Sequence, residues 1–173
     1  KMIEQIDPER MFDRLKADSN GTVLPGWEPE RMSKIRSLFE TYKGVDDTAL
    51  FNNLVYFLKA IMPVCNKYDI KMAIHPDDPA WPVFGLPRII NSKENIHKML
   101  NAVDDVHNGL TLCTGSLGTN PENDIPDIIR SLKGRIHFAH VRNLYHESPG
   151  VFEEASHLSS DGSMDLFEFM KAL

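Results

Sequence analysis

The chain has 173 residues, 42% of them hydrophobic and 25% charged, which is an ordinary composition for a soluble globular domain. We expect no membrane helix, because we identify no apolar run of the roughly 20 residues that it needs, and we expect no signal peptide. The net charge of −6 argues against a nucleic-acid or anionic-membrane surface, so we expect a single domain over residues 1–173 with neither partner.

The first third of the chain predicts helices separated by turns. A short helix is expected over residues 7–15, with turns at residues 18–21 and 25–26. A longer helix is expected from about residue 29 to residue 42, and Gly44 is expected to prevent its continuation.

The next helix carries the strongest amphipathic pattern in the chain and should be capped by Asp46 or Asp47. Pro63 falls inside this pattern and removes a backbone donor, so we expect a kink or a break there. The residues expected to face the core are Leu50, Leu54, Phe57, Leu58, Ile61, Met62, Cys65 and Tyr68.

Three short apolar segments, at residues 72–75, 110–113 and 135–141, predict β-strands. Helices are expected between them at about residues 93–103 and 122–133, with loops at 76–87 and 114–118, a short extended piece at 88–90 and a last helix from residue 165. The order βαβαβ predicts an α/β fold with a parallel sheet. Because a (β/α)8 TIM barrel typically takes about 250 residues, we expect this chain to supply only a central part of one.

Each predicted strand ends in a side chain that can bind a metal: His75, Cys113 and His140. Parallel strands present their C-terminal ends on one face, so the three side chains are expected to converge on one ion. Imidazole and thiolate ligands suit Zn, Fe, Mn or Ni and exclude a pure Mg or Ca site. The alternative is that each residue is a separate polar or core side chain. With only two cysteines and no disulfide framework, a reduced cytoplasmic setting is expected.

Longer stretches resemble the mannonate dehydratase family, whose fold is a TIM barrel of the xylose-isomerase-like kind. The resemblance covers essentially the whole chain, which corresponds to the middle part of a family member. The matching stretches are residues 75–81 (HPDDPAW), 84–89 (FGLPRI), 113–116 (CTGS), 123–124 (ND), 135–143 (RIHFAHVRN) and 152–158 (FEEASHL).

The resemblance implies a metal-dependent lyase that dehydrates D-mannonate to 2-keto-3-deoxy-D-gluconate in glucuronate catabolism. It places Mn2+ or Fe2+ on His75, Cys113 and His140, and we expect a cytoplasmic homo-oligomer. The family's fourth ligand is an Asp in an Arg-Pro-Asp-His-Gly motif, and neither this motif nor the Arg and Tyr expected to move protons occurs in this chain. A metal-dependent sugar isomerase or epimerase, or an inactive barrel fragment, is the alternative, and Cys113 weighs against the isomerase.

Beyond the ligands, we assign catalytic and substrate-binding roles to three further positions. Arg142 is expected to hold the substrate carboxylate bidentately, Asn143 to contact substrate, and His157 to hydrogen-bond a hydroxyl or move a proton. The alternatives are an Arg paired with a loop acid and a His that packs its loop. Asp77 and Asp78 orient His75 or form the turn.

The remaining residues that we considered receive structural roles. Trp81 and Phe84 are expected to wall the site or pack the loop. His137 is predicted to be a core residue or to support the metal ligands without binding the ion itself. Surface positions are expected for His97, His107 and His146.

Overall fold

The computed structural model describes residues 39–83 and 85–173. The chain divides into two compact units, Lys1–Val45 with Phe84–Leu86, and Asp46–Val83 with Pro87–Leu173. The elements predicted before residue 39 lie outside the described residues. In the first unit, residues 39–42 are helical and Gly44 has a φ of 84°, which confirms the helix end at this glycine. The single domain stays a prediction.

The second unit begins with helix α1, Asp47–Tyr68. Its N-cap is Asp46, whose carboxylate accepts a hydrogen bond from the backbone N of Ala49 at 2.7 Å, as the sequence predicts. The helix runs unbroken through Pro63, so the alternative of a break there is wrong. Because Pro63 is exposed, water can reach the backbone carbonyl that the missing N–H leaves without a partner.

The side of α1 that packs into the core is narrower than the predicted set of core-facing residues. Leu58, Met62 and Cys65 are buried, whereas Phe57 and Tyr68 are exposed. By length and composition alone α1 could cross a membrane, which corrects the expectation that no apolar run is long enough. A core helix of a soluble protein passes the same test, so this is weak evidence for a membrane span.

A three-stranded parallel sheet organises the second unit. Its strands β1 (Met72–Ile74), β2 (Asn108–Cys113) and β3 (Ile136–His140) lie in that order, and β2 is buried along its whole length. Helix α2, Lys93–Ala102, connects β1 to β2 and is capped by Ser92. The predicted α/β class and the parallel sheet are thus confirmed.

The segment between β2 and β3 contains two helices. Residues 114–118, predicted as a loop, form the short helix α3 (Thr114–Gly118). Helix α4, Ile125–Ser131, is shorter than predicted and is followed by Gly134 with a φ of 74°. The core lies between the sheet and the helices, where Leu58, Ile96, Leu110, Leu112 and Ile128 are almost completely buried.

After β3 the chain forms a β-hairpin that was not predicted from the sequence. Strands β4 (Asn143–Ser148) and β5 (Val151–Ala155) pair antiparallel in a separate two-stranded sheet. A 3-10 turn, Ser159–Asp161, leads to the last helix, α5 (Leu166–Ala172), which lies where a helix was predicted and is capped by Asp165. Residues 88–90 are not part of a strand.

Candidate metal centre

The three predicted ligands meet at the C-terminal edge of the parallel sheet. His75 directly follows β1, Cys113 ends β2 and His140 ends β3, and register pairs Cys113 with His140. One ligand atom from each residue lies within 4.8 Å of the other two. The Cys113 Sγ is 3.7 Å from the His140 Nδ1, and the two imidazole centroids are 6.1 Å apart. Residues distant in sequence are therefore brought together as the strand order predicts.

The two imidazoles lie at the open side of this cluster. Both His75 and His140 are exposed, whereas Cys113 is fully buried beneath them. The Nδ1 of His75 lies 2.7 Å from the backbone carbonyl of Pro76, to which it can donate a proton. That tautomer leaves the Nε2 lone pair of His75 open, which is how a metal-binding histidine is commonly oriented.

The sulfur of Cys113 is a hydrogen-bond acceptor in this arrangement. The backbone N–H of Ser116 donates to it at 3.4 Å and the Ser116 hydroxyl lies 3.1 Å from it. Two imidazoles and a sulfur in this environment fit a divalent transition metal better than the hard cations Mg2+ or Ca2+. The cluster therefore passes the chemical test for such an ion.

Arg142 lies next to this cluster and is held by two carboxylates. Its Nη2 donates to Asp78 and its Nη1 to Glu154, each at 2.6 Å. Burial by itself lowers the pKa of the guanidinium. Hydrogen bonds to Glu154 and Asp78 outweigh burial and raise this pKa above its ordinary value, so Arg142 stays charged. Binding of a substrate carboxylate by Arg142 stays a prediction.

The predicted positions Asn143 and His157 belong to one local structure. The Asn143 amide is buried and donates to the carbonyls of Ser156 and Leu158 at 2.9 and 3.0 Å, which fixes the loop on both sides of His157. His157 itself is exposed, and its Nε2 lies 3.1 Å from the carbonyl of Val141. His157 is thereby placed next to the chain segment that follows the ligand His140.

The two aspartates of the loop after β1 have different surroundings. Asp77 accepts hydrogen bonds from the backbone N of Ile89 and of Ile90 and pairs with Arg88, so it closes the loop. Asp78 contacts Arg142 and the Ser116 hydroxyl. Asp77 thus closes the loop through partners at residues 88–90 instead of through a local turn, while Asp78 supports residues around the sulfur.

The aromatic and histidine side chains outside the cluster divide into two groups. Trp81 packs edge-to-face on Phe152 of β5 at 5.7 Å, in agreement with a loop-packing role, while Phe84 lies outside the described residues. His137 bonds the Met72 carbonyl at 2.6 Å, as a core residue would. The expectation of a surface position is wrong for His107.

His107 is buried, and each of its ring nitrogens lies near a carboxylate. Its Nε2 lies 2.9 Å from Asp69 and its Nδ1 3.2 Å from Asp105. His97, on α2, and His146, on β4, are partly buried. Asp105 lies two positions before His107, but Asp69 comes from the end of α1, so local sequence shows only part of this cluster.

Sequence reasoning missed three polar residues around the centre. Ser116 follows Cys113 by three positions, a spacing that could have indicated a hydrogen bond back to the sulfur if the helix had been recognised. Thr114 exchanges hydrogen bonds with the backbone of Arg142 at 2.7 and 2.8 Å. Glu154 could not be found from local pattern, because only the hairpin brings it to Arg142.

Comparison with known proteins gives consistent results along the whole chain. The family model described as D-mannonate dehydratase (UxuA) matches residues 1–173. A mannonate dehydratase of Brachyspira hyodysenteriae is 70% identical over 171 residues, which are 99% of this chain and 48% of that protein. One from Thermotoga maritima is 57% identical over 174 residues, again 99% of this chain and 48% of the relative. The chain thus spans about half the length of these curated relatives.

Two solved structures resemble the described fold. The crystal structure of mannonate dehydratase from Streptococcus suis serotype 2 matches with a TM-score of 0.75 and 40% identity, covering 79% of this chain and 40% of that one. The IolI protein, solved with a binding zinc atom, matches with a TM-score of 0.57, covering 83% of this chain and 55% of its own. At 15% identity the second likeness concerns the fold alone.

Proposed function

The chain belongs to the D-mannonate dehydratase family, and on this premise we propose that it forms part of a lyase acting on D-mannonate. The reaction removes water to give 2-keto-3-deoxy-D-gluconate. The observation that carries the proposal is the convergence of His75, Cys113 and His140, whose ligand atoms lie within 4.8 Å of one another at the ends of three parallel strands. Substrate sites of such folds are built at that edge of the sheet.

We further propose that the sheet is a central part of a (β/α)8 barrel. The parallel order β1-β2-β3 with a helical connection after each of the first two strands is the repeating unit of that fold. The likeness to the Streptococcus suis structure, which this chain covers to 40%, supports the same interpretation.

The proposed cofactor is a divalent Mn2+ or Fe2+ held by His75, Cys113 and His140. When bound, such an ion supplies Lewis-acid stabilisation of negative charge on substrate oxygens. The residues of the chain then have separate tasks. The Pro76 carbonyl fixes the ring of His75, and buried Cys113 occupies the closed side of the centre, so a substrate reaches it from the exposed imidazole side.

Dehydration also needs groups that bind the acid and move protons. Loss of the C2 proton and of the C3 hydroxyl calls for a base and an acid near those atoms. We propose that His157, which is exposed beside Val141, hydrogen-bonds the substrate or carries one of these protons, while Asn143 fixes its loop. Arg142 would bind the substrate carboxylate by exchanging one of its present carboxylate partners, Asp78 or Glu154.

The test is removal of one ligand at a time from the complete polypeptide that carries this chain. Losing a residue that merely supports a ligand costs about 10–100-fold in metal affinity, so Cys113→Ser and His140→Ala should each cost more. Elemental analysis after Mn2+ loading and dialysis should show metal and mannonate turnover lost together.

The matched control is Cys65→Ala, which removes the other buried thiol, far along the chain on α1. This variant should keep both metal and turnover. Stoichiometric metal in Cys113→Ser or His140→Ala would contradict the proposed centre, and a wild type that binds Mn2+ without dehydrating mannonate would contradict the proposed substrate.

A further inference from the structure

We propose that Ser116 is a positioning residue whose hydroxyl donates a hydrogen bond to the Cys113 sulfur and fixes it for metal binding. The inference rests on the metal centre of the proposed function and assigns to it a residue that does not itself bind the ion. Ser116 lies on α3, the short helix that begins immediately after Cys113.

The Ser116 hydroxyl is surrounded by three polar atoms. Its Oγ is 3.1 Å from the Cys113 sulfur, 3.0 Å from Asp78 Oδ2 and 3.2 Å from Arg142 Nη2. Arginine can only donate, so its N–H is directed at a lone pair of the hydroxyl oxygen. The single hydroxyl proton is therefore left with two acceptors, the sulfur and the carboxylate.

The needs of these two acceptors differ. Asp78 Oδ2 already accepts a charge-assisted hydrogen bond from Arg142 at 2.6 Å. Apart from this hydroxyl, the sulfur of Cys113 has two longer contacts, with the Ser116 backbone N–H at 3.4 Å and with the His140 Nδ1 at 3.7 Å. If the hydroxyl donates to the sulfur, both acceptors have a close donor. If it donates to Asp78, the backbone N–H is the donor that Ser116 still offers to the sulfur.

Burial makes this hydrogen bond difficult to replace. Ser116 and Cys113 are both fully buried, so water has no room to take over from a deleted hydroxyl. The backbone of Ser116 is also fixed, since it belongs to α3 and its N–H donates to the Cys113 sulfur at 3.4 Å. The donor is thus held at the sulfur by a rigid frame, and rigid support of a ligand raises metal affinity.

The experiment uses the complete polypeptide that carries this chain, loaded with Co2+, whose charge-transfer absorption from sulfur reports on Cys113. Ser116→Ala removes a donor from the sulfur and makes it a stronger electron donor, so this band should move to longer wavelength. Co2+ affinity, measured by chelator competition, should fall by about 10–100-fold. Neither readout depends on turnover.

The matched control is Thr119→Val, which removes a buried hydroxyl from the residue just after α3 and keeps the side-chain shape. Thr119 bonds the backbone of Ala80 and Ser116 but not the sulfur. The variant should lower thermal stability and leave the absorption band in place. An equal band shift in Thr119→Val would show a general structural effect and overturn the inference.

A second variant keeps the proposal testable if Ser116→Ala does not fold. Asp78→Ala removes the competing acceptor. Because the hydroxyl already donates to the sulfur in the wild type, the band should stay in place, and a move to shorter wavelength would show that the hydroxyl had donated to Asp78 and would overturn the inference. An unmoved band in Ser116→Ala, with wild-type Co2+ binding intact, overturns the role of Ser116 alone. A wild type without any sulfur-to-cobalt band contradicts the metal centre itself.

Discussion

The two ends of the parallel sheet both carry histidines and carboxylates, yet they differ in how completely these groups are paired. At the N-terminal end, both ring nitrogens of His107 face carboxylates, Asp69 at 2.9 Å and Asp105 at 3.2 Å. At the C-terminal end, the Nδ1 of His75 faces a backbone carbonyl, and one ring nitrogen of His75 lies within 4.8 Å of ligand atoms of Cys113 and His140. Paired groups add stability, whereas unpaired ligand atoms at a shared point are available for chemistry.

The N-terminal cluster joins elements that are distant in sequence. Asp69 is the C-cap residue of α1, and Asp105 lies between α2 and β2 and also accepts from the Asn66 amide at 2.6 Å. His107 directly precedes β2, and its carbonyl accepts from the backbone N of Met72 on β1 at 2.8 Å. Such a cluster ties a helix end to the start of the sheet.

The largest effect is expected at the C-terminal end, from Gly115→Ala. A Cβ built on Gly115 would lie 2.5 Å from the Arg142 Nε and 2.8 Å from its Cζ, well inside contact distance. Arg142 cannot move aside cheaply, because Asp78 and Glu154 hold it. We expect a loss of about 1–3 kcal/mol in the free energy of unfolding, measured by urea denaturation.

The same substitution made in an Arg142→Ala background identifies the cause of that loss. In Arg142→Ala the obstructing side chain is gone, and alanine is favoured over glycine inside a helix by about 0.5–1 kcal/mol. Gly115→Ala should then be neutral or stabilising, so the two changes are strongly non-additive. An equal cost in both backgrounds would show that Arg142 is not what Gly115 accommodates.

At the N-terminal end of the parallel sheet, His107→Gln is expected to have a smaller effect on stability, visible mainly as a changed pH dependence. The hydrogen bond to Asp69 raises the pKa of His107, burial opposes this, and Asp105 adds to the rise. The charged imidazole therefore stabilises the fold below the ordinary histidine pKa of about 6.5, and this contribution is lost as pH rises through the raised pKa.

Thermal melts across that pH range should show the Tm of the wild type falling as pH rises, with a flatter profile for His107→Gln. The pKa of Asp105 is lowered by the Asn66 amide and the His107 backbone, so its contribution is lost only at more acidic pH and does not interfere. Parallel profiles for wild type and variant would exclude His107 as the titrating group.

The smallest effect is expected from Asp104→Asn, which serves as the reference for a solvated ion pair at the same end. Asp104 pairs with Arg135 at 2.9 Å, but its side chain is 82% exposed. Exposed pairs contribute about 0–1 kcal/mol, so the Tm should change little and equally at each pH. A change as large as that of His107→Gln would remove the distinction between the buried imidazole of His107 and the exposed carboxylate of Asp104.

Local patterns predicted the frame of the molecule because each depends on neighbouring residues. The cap Asp46, the parallel strands and the last helix follow from side chains within a few positions of each other. The same reasoning failed for α3, where a Thr-Gly-Ser-Leu-Gly sequence reads as a loop. Its helical form instead buries every residue, so packing overrides weak propensity.

The hairpin β4–β5 was missed for a related reason. Val151–Ala155 contains two consecutive glutamates and gives little alternation of apolar and polar residues. What favours the pairing is distant: Phe152 packs on Trp81 and Glu154 pairs with Arg142. A prediction based on neighbouring residues alone cannot include these contacts.

The sequence by itself determined that three possible ligands, His75, Cys113 and His140, close three successive strands. Strand direction then places them at one edge, since parallel strands end on the same side. Only the tertiary structure decided which groups surround them: that Ser116 faces the sulfur, that Arg142 is held by Asp78 and Glu154, and that His107 is enclosed instead of exposed. Strand order is set by local chemistry, whereas partners are chosen by packing between segments that are far apart in the chain.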